Sequence, residues 1–224
     1  QADLKQRLPG LAINMGGAEV GQGLRMAVQQ IAGEALQIHP SKISVYREID
    51  TQYCPWEWQT IGSMFTTQGG RAIIRACNKA IAMLKETAAK ALLVDPDHLD
   101  YDGQRVFLKH DPDLGLPIQR LIHGYITETG ITIGDVVHTT SDARLPRYSN
   151  PDPDGRGGLG VEYTFGSQAC AIRIEKKTGK ILVDHFASSF DVGTVINPQT
   201  IRGQIAGGVM IGLGATLVSQ FSWV

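Results

Sequence analysis

Cysteine is scarce. Cys54, Cys77 and Cys170 are the only three thiols in 224 residues. They lie far apart in the chain, and no CxxC pairs two of them. An odd, scattered set does not make a disulfide framework, so a reducing, cytoplasmic setting is expected. Three thiols also fall short of the four that an all-cysteine iron–sulfur cluster needs. Their expected role is structural, as small apolar packing units. Charge is scarce as well, at 19% of residues with a net charge of −1. That leaves no global field to hold nucleic acid or an anionic membrane. No basic-then-apolar leader opens the chain, so no signal peptide is expected. The charge-free stretch Gly203 to Val224 contains one mainly apolar run, Ile205 to Val218. It is too short to span a bilayer and fits a buried core helix better, although its Gly203/Gly207 and Gly208/Gly212 spacings imitate small-xxx-small packing.

Hydrolytic signatures are missing too. There is no GxSxG and no HExxH. The six histidines (39, 98, 110, 123, 138 and 185) form no ligand pair at helical spacing. Each reads as a surface or internally satisfied histidine. Glu19 and Asp191 could each be buried carboxylates, but neither has a visible partner, so no acid–base pair is supported.

What is present is a core-forming composition with excess glycine. Hydrophobic residues make up 42%. A chain of this length buries about 70% of its unfolded surface. Glycine counts 26 of 224 residues, well above the usual ~7%, with no collagen period. The chain begins at Gln1 without a methionine and ends at Ser222-Trp223-Val224 inside an apolar run. Both ends read as those of a piece of a longer protein.

Periodicity predicts an α+β fold: mixed sheets with packed helices, in two similar-sized subdomains over 1–140 and 141–224. Leu11 to Met15 reads as a strand turned by Gly16-Gly17. Leu24, Val28, Ile31, Ala35 and Ile38 mark a helix over 21–37. Lys42 to Ile49 alternates as a strand, and Asp50 to Gln68 reads as a loop. Gly69-Gly70 opens the strongest helix, with the stripe Ile73, Ile74, Cys77, Ile81, Leu84 and Ala88. Asp95 to Pro117 is turn-rich, with an Asp102-Gly103 hairpin turn and a short strand at 105–108. Ile118 to Glu128 reads as a helix ended by Gly130, and Ile131 to His138 as a strand. Thr140 to Gly160 reads as a surface loop, whose Asp152-Pro-Asp154-Gly lacks the full ligand pattern of a calcium loop. Val161 to Asp191 forms a long hairpin, half-buried along Cys170, Ile172 and Ile174. Asn197-Pro198 starts the last helix. Five glycines inside it cost ~1 kcal/mol each relative to alanine. Another element or a ligand is therefore expected to approach that backbone closely.

Three segments look able to receive a polar ligand. Gly16-Gly17-Ala18-Glu19-Val20-Gly21-Gln22-Gly23 joins a strand to a helix, where amides favour anions. It lacks the lysine of a nucleotide phosphate loop, and a tight turn explains it equally well. Ile61-Gly62-Ser63-Met64-Phe65-Thr66-Thr67-Gln68-Gly69-Gly70 combines hydroxyls with exposed backbone. The plain reading is helix capping by Thr66 or Thr67. The third is Asn197-Pro198 with Gly203-Gln204, where Gln204 stands on an otherwise apolar helix.

Taken in order, these segments form a longer pattern. After 16–23 come Gln29 to Leu36, Asp50-Thr51, Pro55, Thr60, Ser63, Thr66 and Gly70-Arg71-Ala72. Then follow Tyr163-Thr164-Phe165-Gly166, Lys177-Thr178-Gly179, Asp191-Val192-Gly193, Ile196-Asn197-Pro198, Gly203-Gln204 and Gly212-Leu213-Gly214. Across nearly the whole chain this resembles the molybdopterin-binding subunit of molybdenum hydroxylases, the xanthine dehydrogenase and aldehyde oxidase family. It matches the second molybdenum-binding region.

The resemblance implies a molybdopterin cofactor. Val20 and Gln22 would contact it from the first loop. Gly62, Ser63, Met64, Phe65 and Thr66 would hold pterin and phosphate groups, largely through backbone amides. Gln204 would bond near the pterin or metal. The metal would be held by the cofactor's own dithiolene sulfurs, so no protein metal ligand is implied. The implied reaction is hydroxylation of a purine, another N-heterocycle or an aldehyde at an electron-poor carbon, with water as the oxygen source. The family's catalytic glutamate lies beyond the motif matched by Gly212-Leu213-Gly214, so no catalytic residue is assigned here. The other molybdenum-binding region, the iron–sulfur clusters and FAD would sit on other domains or subunits of an oligomer. Ala206 and Ile211 depart from residues frequent in the family and bear on substrate choice. Two other readings are a non-catalytic interaction module that kept the fold without the cofactor, and a free-standing nucleotide-binding α/β domain.

Overall fold

The computed structural model describes residues 11–46, 48, 50–57, 59–143, 149–158, 160 and 163–219. The chain divides into two units, Gln1–Arg144 and Leu145–Val224. Helices and small sheets of both parallel and antiparallel type make the fold α+β, as the periodicity predicts.

In the first unit, β1 (Leu11–Ile13) and β2 (Ile43–Val45) pair in parallel. A parallel pair needs a crossover, and α1 (Leu24–Ala35) supplies it. Its buried residues Leu24, Val28 and Ala32 repeat every fourth position and face the pair. The helix α2 (Met64–Leu92) is the long spine of the unit. Its first half sends Ile73 and Cys77 into a cluster with α1 and β2. Its second half sends Leu84, Ala88 and Ala89 into another. That second cluster lies under the antiparallel sheet of β3 (Leu99–Tyr101), β4 (Arg105–Leu108) and β5 (Asp111–Pro117). Ile81 packs against both clusters. Ile43, Leu99, Leu121, Val28 and Val106 are fully enclosed. Each such side chain contributes roughly 1.5–3 kcal/mol of burial. The Tyr101 hydroxyl also ties the clusters together, donating to the Leu36 carbonyl at 3.0 Å.

Several expectations change here. The helix predicted from Gly69-Gly70 begins five residues earlier, so both glycines lie inside its first turns. Gly69 is there because a Cβ would strike the Phe65 ring. Ile74, assigned to the apolar stripe, is 43% exposed. The helix expected over 118–128 is a short 3-10 turn followed by β6 (His123–Ile126), paired with β7 (Thr132–Val136). Gly124 has φ +82 and a Cβ there would meet Thr132, which breaks a helical run. Within β6 the β-branched Ile126 and the aromatic Tyr125 favour the strand. The region 111–117, read as turns, pairs with β4 despite two prolines, which the sheet edge tolerates.

The second unit holds one hairpin and one helix among its described residues. β8 (Phe165–Ile174) and β9 (Ile181–Asp191) pair antiparallel, with a register shift between Ala171 and Ile172. Residues 161 and 162, the start of the predicted strand, lie outside the described residues. Glu175, Thr178 and Gly179 form the turn, and Arg173 clasps Asp184 across the strands at 2.6 and 3.1 Å. The expected half-burial does not occur. Phe165, Ile172 and Ile174 are 72, 51 and 57% exposed. Among the described residues of this unit, no buried residue marks a second layer over the hairpin. α3 (Pro198–Leu217) starts as predicted: Asn197 accepts from the amides of Gln199 and Thr200. The expected close approach to its glycines is not present among the described residues. A Cβ at Gly203, Gly207, Gly208, Gly212 or Gly214 meets nothing within 4 Å. No helix of the described residues is long and apolar enough to cross a membrane.

Candidate functional site

Two loops leave the carboxyl ends of the parallel strands. The first runs from β1 to α1 and carries Gly16–Gly23. The second follows β2 and ends at the start of α2. In open α/β arrangements that end of the strands is where ligands bind, because loops and helix starts converge there.

The two loops are fastened to each other. The Ala18 amide donates to Thr60 Oγ1 at 2.9 Å. The Thr60 hydroxyl in turn donates to the Glu57 carboxylate at 3.3 Å. Upstream, Asn14 donates to the Tyr53 carbonyl and accepts from the Cys54 thiol. Gly16 and Gly17 make the approach possible. A Cβ on Gly16 would run into the Pro55 carbonyl, and one on Gly17 into the Phe65 ring. These two glycines thus serve contact between the loops rather than approach to a ligand.

The first loop is also closed upon itself. Glu19 Oε1 accepts from the amides of Gly21 and Gly23 at 3.0 Å each, and Oε2 from the amide of Arg25 at 3.1 Å. Burial opposes the Glu19 charge, but the amides of Arg25, Gly23 and Gly21 and the Arg25 guanidinium outweigh it. The carboxyl is held below its ordinary value. Gly21 and Gly23 take φ +103 and +82, which lets their amides turn inward. Gln22 braces the same loop, accepting from the Val20 amide at 2.7 Å and donating to the Ala18 carbonyl at 2.8 Å. Each end of its amide retains one further bonding position. Val20 stands outward, 79% exposed.

The start of α2 is different. Gly62 and Ser63 both take φ +58, and the N-cap Ser63 makes no side-chain cap bond. The capping expected from Thr66 or Thr67 is not how the helix begins, because the N-cap lies at Ser63. The Met64 amide bonds the Ile61 carbonyl, closing a turn. Gly62, Ser63 and Thr66 are exposed. No acidic residue occupies the first turn. The positive end of a 29-residue helix therefore lies at an exposed start. Phe65 is split in role: its backbone belongs to this start, while its ring packs into the core between Gly17 and Gly69.

Seven of the eight predicted contact residues thus lie in the first unit, on the first loop and at the loop end and first turn that open α2. Gln204 belongs to α3 of the second unit, where it is exposed. Glu19, Glu57 and Thr60 were not assigned from sequence to this site. Thr60 stands in the ordered motif series, and Glu19 stands between glycines ahead of a helix, a placement that suits capping. Among the described residues no three His, Cys, Asp or Glu side chains group to hold a metal ion.

A molybdopterin cofactor-binding domain model matches residues 9–224. The chain is 27% identical over 94% of its length to the gamma subunit of the 6-hydroxypseudooxynicotine dehydrogenase complex of Paenarthrobacter nicotinovorans, and covers 25% of it. It is 29% identical over 92% of its length to the carbon monoxide dehydrogenase large chain of Hydrogenophaga pseudoflava, covering 24%. Among solved structures, a Cu,Mo-CO dehydrogenase in its carbon monoxide reduced state superposes with a TM-score of 0.67 at 26% identity. There the match spans 88% of this chain and 23% of that one. The chain spans about a quarter of these relatives.

Proposed function

The chain belongs to the molybdopterin cofactor-binding domain family, and from that premise we propose that it holds part of molybdopterin within a larger molybdenum hydroxylase. The proposed reaction is hydroxylation of a purine, another N-heterocycle or an aldehyde at an electron-poor carbon, with oxygen from water. When bound, molybdopterin supplies a redox-active molybdenum held by its own sulfurs.

The observation that carries this reading is the start of α2. Its exposed positive end, two consecutive left-handed residues and missing side-chain cap suit the phosphate and pterin edge of such a cofactor. Gly62, Ser63, Phe65 and Thr66 offer amides there, Met64 lies among them with its own amide on the Ile61 carbonyl, and Ser63 and Thr66 add hydroxyls. Val20 offers an exposed apolar contact, and Gln22 its remaining donor and acceptor. Gln204 adds a second amide side chain from α3. None of these groups moves a proton. Their work is binding and orientation, and the catalytic glutamate, the iron–sulfur clusters and FAD belong to other parts of the complex.

The test uses the full-length protein from a host that makes the cofactor. Replacing Gln22→Ala together with Gln204→Ala removes hydrogen bonds of about 1 kcal/mol each, so cofactor retention should fall roughly tenfold or more. Molybdenum and pterin content, measured per protein, read this out. Wild-type protein free of both would end the proposal. Unchanged content in the double variant would favour a non-catalytic module, in which the internally braced loop alone is kept.

A further inference from the structure

Four hydrogen bonds join the two loops end to end as one chain. The Val20 amide donates to Gln22 Oε1 at 2.7 Å, and Gln22 Nε2 donates to the Ala18 carbonyl at 2.8 Å. The Ala18 amide donates to Thr60 Oγ1 at 2.9 Å, and the Thr60 hydroxyl donates to Glu57 Oε2 at 3.3 Å. Every donor points the same way, toward a carboxyl group. Bonds aligned in series polarise and strengthen one another. The series also settles how the Gln22 amide lies. A backbone N–H only donates and a carbonyl only accepts, so the oxygen faces Val20 and the nitrogen faces Ala18. Ala18 is the node, because its carbonyl holds Gln22 while its amide is held by Thr60.

We propose that Thr60 is a positioning residue for Gln22. By holding the Ala18 amide from the second loop, it fixes where the Gln22 carboxamide stands and which way its remaining N–H and lone pair point. The inference rests on the cofactor reading above, in which those two positions meet the cofactor. The Thr60 hydroxyl has one proton, committed to Glu57, and gives a lone pair to Ala18. Its part is therefore played through Gln22. Valine has nearly the same shape and can make neither bond, whereas serine can make both. Loss of the hydroxyl should free the Ala18 peptide and let Gln22 swing with it.

The experiment uses the full-length protein from a host that makes the cofactor. It follows deuterium uptake by a peptide spanning 17–23, and molybdenum and pterin content per protein. In Thr60→Val, uptake over 17–23 should speed about fivefold and the content should fall by a similar factor, as the loss of one ordinary hydrogen bond implies. Thr60→Ser should restore both. In a Gln22→Ala background, Thr60→Val should lower the content no further, because the two residues act as one unit. A further loss there would mean that Thr60 works by direct contact or through general stability, and it overturns the proposal. Unchanged uptake in folded Thr60→Val, faster uptake with full content, or equal losses in the serine and valine variants overturn it too. Should Thr60→Val not fold, Thr60→Ala removes the same hydroxyl and decides the matter. Failure of the cofactor reading looks different. Wild-type protein would then hold neither molybdenum nor pterin while the uptake difference between Thr60→Val and Thr60→Ser persists, which supports the hold of Thr60 on Ala18 and ends only the cofactor reading.

Discussion

Glu57 and Glu19 sit in one loop pair and are pushed in opposite directions. Burial raises the Glu57 carboxyl above its ordinary value, and the Thr60 hydroxyl only partly offsets this. A raised carboxyl favours the folded state fully below the unfolded value near 4.5. That contribution is lost as pH rises through the folded value, so at neutral pH the charge is a net cost. Glu57→Gln keeps an acceptor for Thr60 and removes the charge. The variant should melt about 1–2 °C higher at pH 7. Its advantage should shrink as pH falls toward 4, and a difference that ignored pH would refute the assignment. Glu19 has the other sign. Its lowered value means that its stabilisation is present above the unfolded value and lost as pH falls through the folded one. Sequence alone marked Glu19 as a possible buried carboxylate, yet its partners are backbone amides, which no residue pattern displays.

The helices differ in how far their own composition explains them. α1 and α2 have buried faces at helical spacing, and α2 ends at Leu93 in a left-handed conformation. α3 has no buried residue and carries five glycines whose Cβ positions are open. With nothing to strike, a methyl group there should simply raise helix propensity. Gly207→Ala is expected to stabilise the isolated chain by up to about 1 kcal/mol, read from denaturant unfolding. In the full-length protein the same change should lower molybdenum content if a cofactor lies against that backbone. Equal stabilisation with no loss of molybdenum would remove the reason given for the glycines. The helix expected over 118–128 shows the reverse failure. Its apolar spacing was suitable, but a single glycine at φ +82 broke the helical run, and the segment became a turn and a strand.

At the scale of the whole molecule, the first unit encloses two cores, while the second leaves a hairpin and a helix with exposed apolar side chains on them. The chain covers about a quarter of its relatives, and its sequence supports no acid–base pair. Purified alone, it should turn over neither xanthine nor an aldehyde above the uncatalysed rate, even when supplied with the cofactor. Turnover by the isolated chain would show that the catalytic glutamate is not needed from elsewhere. By itself the sequence determined the family, through ordered motifs that need no coordinates. It also determined the helix faces and the Asn197 cap, because periodicity and capping depend on near neighbours. Only the tertiary structure decided that Gly16 and Gly17 serve the seam between two loops, that Glu19 caps the start of α1, and that no side chain caps the start of α2. Those are contacts between backbone and side chains set by how the chain folds back, and residue spacing carries no record of them.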